Sequence, residues 1–173
     1  GRAGRLGEGR PGVLSPSRTP CPFRSEASVP AFYPARPYLY VALPSRRSVA
    51  SLRLETGFVA REWTFEWPPG NLAVTPDGSR LFATLIETEP GGIPTGAAWS
   101  IAELDLEAGD VVQEIPLDFW PCSLVATDRR IVYASQVDMS SEQVHALDAS
   151  TARVLDRRGF RNCASLCLTA SQT

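Results

Sequence analysis

From residue 38 onward the chain breaks into short apolar runs separated by clusters of Pro, Gly, Asp and Ser. In several runs apolar and polar positions alternate, which sends successive side chains to opposite faces of a strand. The pattern predicts strands over 38–43, 49–54, 58–65, 71–75, 80–86, 99–106, 111–117, 123–126, 131–136, 143–147, 153–157 and 163–169. Glu55-Thr56-Gly57 reads as a turn. Pro76-Asp77-Gly78 reads as a tighter one, with Gly able to take positive φ. Residues 87–98 (Glu-Thr-Glu-Pro-Gly-Gly-Ile-Pro-Thr-Gly-Ala-Ala) read as a loop. No window of about a dozen residues carries a helical period bounded by caps, so helix is expected to be scarce.

The strands repeat. Asn71-Leu72-Ala73-Val74-Thr75 aligns with Ser123-Leu124-Val125-Ala126-Thr127 and with Ser165-Leu166-Cys167-Leu168-Thr169, at spacings of 52 and 42. Leu52-Arg53-Leu54-Glu55-Thr56-Gly57 aligns with Leu104-Asp105-Leu106-Glu107-Ala108-Gly109 and with Leu147-Asp148-Ala149-Ser150-Thr151, at spacings of 52 and 43. One period is therefore 42–43 residues, and the middle copy is about ten residues longer. The surplus falls in 87–98, where an insertion costs little loop entropy. Four short strands per unit at this period is a β-propeller pattern. A four-stranded sheet has two apolar faces that it cannot bury alone, and radial stacking of blades buries both. The expected fold is all-β, with four-stranded antiparallel propeller-like blades in an incomplete ring.

The wording of the repeat carries a resemblance. Asn71-Leu72-Ala73-Val74-Thr75-Pro76-Asp77-Gly78-Ser79-Arg80-Leu81-Phe82-Ala83-Thr84 resembles the strand–turn–strand core of YVTN-type β-propeller repeats. The stretch 104–115 is similar to the second strand–turn–strand of that family, and 147–155 is a fainter copy. The resemblance covers about 135 of the 173 residues. It implies blades and leaves activity open. Asp128-Arg129-Arg130 stands where the family has Pro-Asp-Gly, which leaves the turn geometry there, though not the blade, open. On this reading 38–65 supplies three strands of one blade, 71–117 a full blade, 121–158 another, and 163–169 the start of the next.

Composition adds a second region. Residues 1–37 hold 6 Arg, 2 Glu, 7 of the 15 Pro and 5 of the 13 Gly, a charge balance of +4. Residues 38–173 hold 11 Arg and 17 acids, a balance of −6. The first segment has too little apolar surface to offset its ordering entropy, so it is expected to be a disordered tail. With a single Met and an initial Gly, the chain reads as a fragment, a processed chain or an incomplete gene model. Little more than three blades, where closed rings have about 4–8, implies a larger propeller or several chains completing one ring. The overall charge of −2 argues against a whole-chain nucleic-acid partner. No apolar run approaches the 18 or so residues of a membrane-spanning helix, so no membrane partner is expected.

Candidate chemistry is sparse. Asn71 opens an innermost strand, as do Ser123 and Ser165 in their copies, and these three are the candidate axial-channel positions. In lactonase-type propellers, Asn and acidic residues at comparable places bind a divalent cation. Here two of the three positions are Ser, so no metal or other cofactor is expected, and Asn71 is read as satisfying backbone groups at a turn. His145, the only histidine, is read as a surface strand residue, and no Gly-x-Ser-x-Gly elbow accompanies it. Cys21, Cys122, Cys163 and Cys167 form no Cys-x-x-Cys pair. Cys122 and Cys163 open adjacent inner strands, which leaves an interblade contact or buried free thiols open. Trp63, Phe65 and Trp67 alternate on one strand and are read as packing.

These readings favour a non-catalytic binding or scaffold module over an enzyme. Its partner would be a protein, or a second copy meeting an exposed blade face. The contact loop would be 87–98, with Gly91, Gly92 and Ile93 at its tip. The rival reading is a lactonase-like hydrolase with a metal at the axis and its other ligands in further blades. A structural cell-surface repeat protein, as some YVTN-type proteins are, is a third.

Overall fold

The computed structural model describes residues 31–32, 37–88, 94–137 and 142–160. They form twelve strands, and β1–β12 are numbered here in chain order. The first sheet comprises β1 (Ala31–Phe32), β2 (Tyr38–Leu43), β3 (Ser48–Arg53) and β4 (Val59–Thr64). The second comprises β5 (Pro69–Val74), β6 (Arg80–Thr88), β7 (Pro94–Asp105) and β8 (Val111–Leu117). The third comprises β9 (Pro121–Ala126), β10 (Ile131–Val137), β11 (Glu142–Asp148) and β12 (Arg153–Phe160). Every pairing is antiparallel between sequence neighbours. The one helical turn among the described residues is the 3-10 segment Pro44–Arg46.

The sheets stack face to face, as the repeat requires. Between the first and second, Tyr40, Ala42, Val49 and Trp63 meet Leu72, Leu81, Ala83, Leu85 and Leu104. Between the second and third, Ala73, Phe82, Ile101, Ile115 and Phe119 meet Leu124, Ala126, Val132, Ala134 and Leu147. Leu81 and Phe82 are chain neighbours on opposite faces of β6, and both are 0% exposed, so the second sheet is covered on both sides. Each such side chain removed from water contributes on the order of 1.5–3 kcal/mol. β5 and β9 are the inner strands of their sheets and adjoin one another.

One irregularity recurs in all three sheets. The outer strand carries one extra residue: Ala60 in β4, Val112 in β8 and Leu155 in β12 fall between consecutive paired positions. Such a β-bulge bends the strand and re-aims the side chain beside it. The turn before each outer strand holds its last residue at positive φ: Gly57 at 69°, Gly109 at 84° and Ala152 at 53°. Asp105 and Asp148 brace two of these turns by accepting backbone N–H bonds, from Glu107 and Ala108 and from Ser150 respectively. The first sheet has Arg53 at that place.

Two expectations change and one open point is answered. Ala31–Phe32 lie in the segment read as a tail, yet they pair with Leu39 and Tyr40 and give the first sheet its fourth strand. A two-residue edge strand leaves almost no periodic signal. The stretch 87–98 is not simply a loop. β6 runs to Thr88, β7 starts at Pro94, and Thr88 pairs with Pro94, so part of the surplus length extends a hairpin. At the variant turn, Arg130 takes φ 59° where Gly78 takes 69°, so the backbone form is kept without glycine. Both donate N–H to the Thr three residues back, Thr127 and Thr75. The strand expected at 163–169 lies outside the described residues, as do most of 1–37.

Candidate functional site

The inner strands place two of the three channel candidates. Asn71 on β5 donates its Nδ2 to the carbonyl of Cys122 on β9 at 2.8 Å, and its own N–H reaches Oγ1 of Thr84 at 2.8 Å. Its amide therefore ties one inner strand to the next, rather than serving a turn. Thr84 can come this close because the preceding residue is Gly70, where a Cβ would stand 2.7 Å from the same hydroxyl. Ser123 follows Cys122 on β9 and is half-buried. Ser165 lies outside the described residues, as do Cys21, Cys163 and Cys167. Cys122 is a free thiol. Among the described residues no three His, Cys, Asp or Glu side chains group closely enough to hold a metal.

His145 is the clearest correction. It is 1% exposed, not a surface residue. On β11 it shares a face with Leu147, the face turned toward the second sheet. Phe119 stacks on its ring with centroids 3.7 Å apart and planes 9° from parallel. Nε2 lies 3.0 Å from Oε1 of Gln136. Burial pushes the imidazole below its ordinary pKa of 6.5, Arg157 pushes the same way, and Asp118 opposes. The ring is held as a packing element. Alternation did point to this: residues 145 and 147 must share a face, and Leu147 belongs to the core.

The sequence reading passed over Glu103. It is wholly buried between the second and third sheets. Its Oε2 accepts from Arg130 at 2.5 Å and from Nε2 of Gln113 at 2.7 Å, and Arg80 lies 3.8 Å from Oε1. Arg80 also pairs with Asp105. Gln113 donates as well to the carbonyl of Ala149 in the third sheet. A buried carboxylate persists only when paired and hydrogen-bonded, and this one is both. The cluster joins two sheets. Two positions from Ile101 on the same strand, Glu103 shares its face, which was the signal available.

The seam between the first and second sheets is different. Nε1 of Trp63 donates to the carbonyl of Gly109 at 2.8 Å across the seam. Phe65 and Trp67 pack against the same core, as the alternating aromatics predict. Beside Trp63 a groove of about 370 Å³ opens, with Tyr40 and Ser51 among its lining residues and Arg53 and Arg61 exposed at its rim. The proposed loop tip, Gly91, Gly92 and Ile93, lies outside the described residues.

No family model and no curated protein sequence matches the chain. Solved structures do. The structure of U3-55K superposes with a TM-score of 0.59 at 9% identity, over 79% of this chain and 40% of that one. The RRP9 WD40 repeats superpose with a TM-score of 0.55 at 12% identity, over 76% and 38%. The fold is that of β-propeller blades. At these identities the likeness shows the fold alone, and the YVTN wording of the repeat finds no separate support. The chain spans about two fifths of the length of the propellers it matches.

Proposed function

We propose that this chain is a non-catalytic binding module built on propeller blades, with the β6–β7 hairpin as its contact element and a protein as its partner. One observation carries the reading: β6 and β7 run nine and twelve residues, against seven for each of their counterparts β10 and β11. Beyond a register shift after Ile86, Thr88 still pairs with Pro94, so the hairpin carries the chain further from the sheet than its counterpart does. The buried polar groups fit this reading as well. Glu103 serves the seam between the second and third sheets, and Asn71 and His145 are each engaged in packing or strand ties. A second contact is the outward face of the third sheet. There Val125, Tyr133 and Val144 alternate with core residues, and Tyr133 is 39% exposed. That face suits a further blade or a second copy, and it supports the reading of the chain as part of a larger propeller.

The test replaces residues 89–93 with a two-residue Asn-Gly turn and compares immobilised variant and parent for the proteins each retains. The expected result is a retained set lost with the tip while the far-ultraviolet circular dichroism stays unchanged. An unchanged set overturns the hairpin as the contact element.

A further inference from the structure

The groove beside Trp63 carries chemistry that the other blades lack at the same places. Arg53 stands where the second and third sheets have Asp105 and Asp148, the residues that brace their turns. Arg61 pairs with Ser51 just as Gln113 pairs with Glu103 and Asp156 with Ala146. Two positions that are acidic or amide in the sister blades are therefore both Arg here. A guanidinium cannot accept the turn N–H bonds, so Arg53 is released from that task. Among the described residues, no acidic side chain forms an ion pair with Arg53 or Arg61.

The groove is built to hold Arg61 in place. The bulge at Ala60 re-aims the neighbouring Arg61. Its guanidinium carbon lies 5.9 Å from the centre of the Trp63 ring, within cation–π range. It also lies over Gly109 of the second sheet, so closely that a Cβ there would fall 1.1 Å from Nη1. Tyr38 pairs with Arg53, and Tyr40, 2% exposed, pairs with Ser51. The volume of about 370 Å³ is that of a small-ligand site. Glu107 is the single acid of the lining, so the formal balance is +1, in a region, 38–173, that carries −6 overall.

We propose that this groove binds the oxyanion of a peptide side chain, phosphoserine or carboxylate, between Arg53 and Arg61. Planar guanidinium forks match both groups, and the aromatic walls cover the peptide beside the anion. The site is separate from the β6–β7 hairpin, and either can fail without the other.

The probes are three fluorescent hexapeptides of Gly and Ser, carrying phosphoserine, Glu or only unmodified Ser, with inorganic phosphate as competitor. They are titrated against the 173-residue chain by anisotropy. The phosphoserine peptide should bind at least tenfold tighter than the Ser peptide, with the Glu peptide between them. Arg53→Ala and Arg61→Ala should each weaken it about tenfold, and Glu107→Gln should tighten it several-fold. Both arginines are exposed, so the variants should keep parental circular dichroism. Equal binding of all three peptides, or binding indifferent to both Arg substitutions, overturns the proposal. Binding of free phosphate with no gain from the peptide overturns its peptide part.

Discussion

The two seams between sheets meet the same packing demand with different materials. The first is apolar and aromatic, with Trp63 reaching across to one carbonyl of Gly109. The second has an apolar core of its own and adds a buried Glu103 cluster and the stacked pair of Phe119 and His145. Blade stacking in this chain therefore tolerates a fully buried charge at one seam and does without one at the other. The polar cluster adds geometry more than net stability, because desolvating a carboxylate offsets much of its attraction to arginine.

The contrast can be broken most severely at the first seam. Trp63→Ala should cost about 3–5 kcal/mol, read as a lower urea midpoint, because it empties a large buried aromatic from the seam and removes the bond to Gly109. Glu103→Ala at the second seam should cost about 3 kcal/mol, since it strands the inner part of Arg130 and one of the two N–H bonds of Gln113. The double replacement of Glu103 and Arg130 by Met should recover most of that loss. If the double variant is no better than the single one, the cluster is not a self-contained pair. A smaller effect of opposite sign is expected at the third sheet's turn. Ala152→Gly should stabilise by about 1 kcal/mol, because φ of 53° burdens any residue with a Cβ.

The gentlest test is pH. The folded pKa of His145 lies below its ordinary 6.5, so the unfolded chain takes up the proton first on acidification. Its contribution is complete above 6.5 and is lost as pH falls through the folded value. The melting temperature should therefore decline below pH 6.5 in the parent and decline less in His145→Gln. The lowered carboxylates Asp77, Asp105 and Asp148 act only in a more acid window, below about 3.8.

Much of the scaffold was legible because the apolar period was undiluted. Leu72 and Leu124, like Leu104 and Leu147, recur at repeat spacing, and all four lie in seams. Thr75-Pro76-Asp77-Gly78 marked its turn through chemistry that few other conformations use. What stayed hidden was what depends on a neighbouring blade. Ala31–Phe32 form a strand only because β2 offers an edge. His145 reads as polar until Phe119 covers it. Arg61 reaches the Trp63 ring only because Gly109, 48 residues later, leaves it room. Pattern along one strand reports the faces of that strand, not what the next sheet brings to them.

The covering of the second sheet on both sides has a dynamic consequence. In a stacked array each unit draws stability from its immediate neighbours. A middle unit touching two of them opens only when both interfaces give way, whereas an outer unit needs to lose one. Amide protons of Leu81 to Leu85 should thus exchange with solvent after those of β11, whose sheet turns the partly exposed Val125, Tyr133 and Val144 outward.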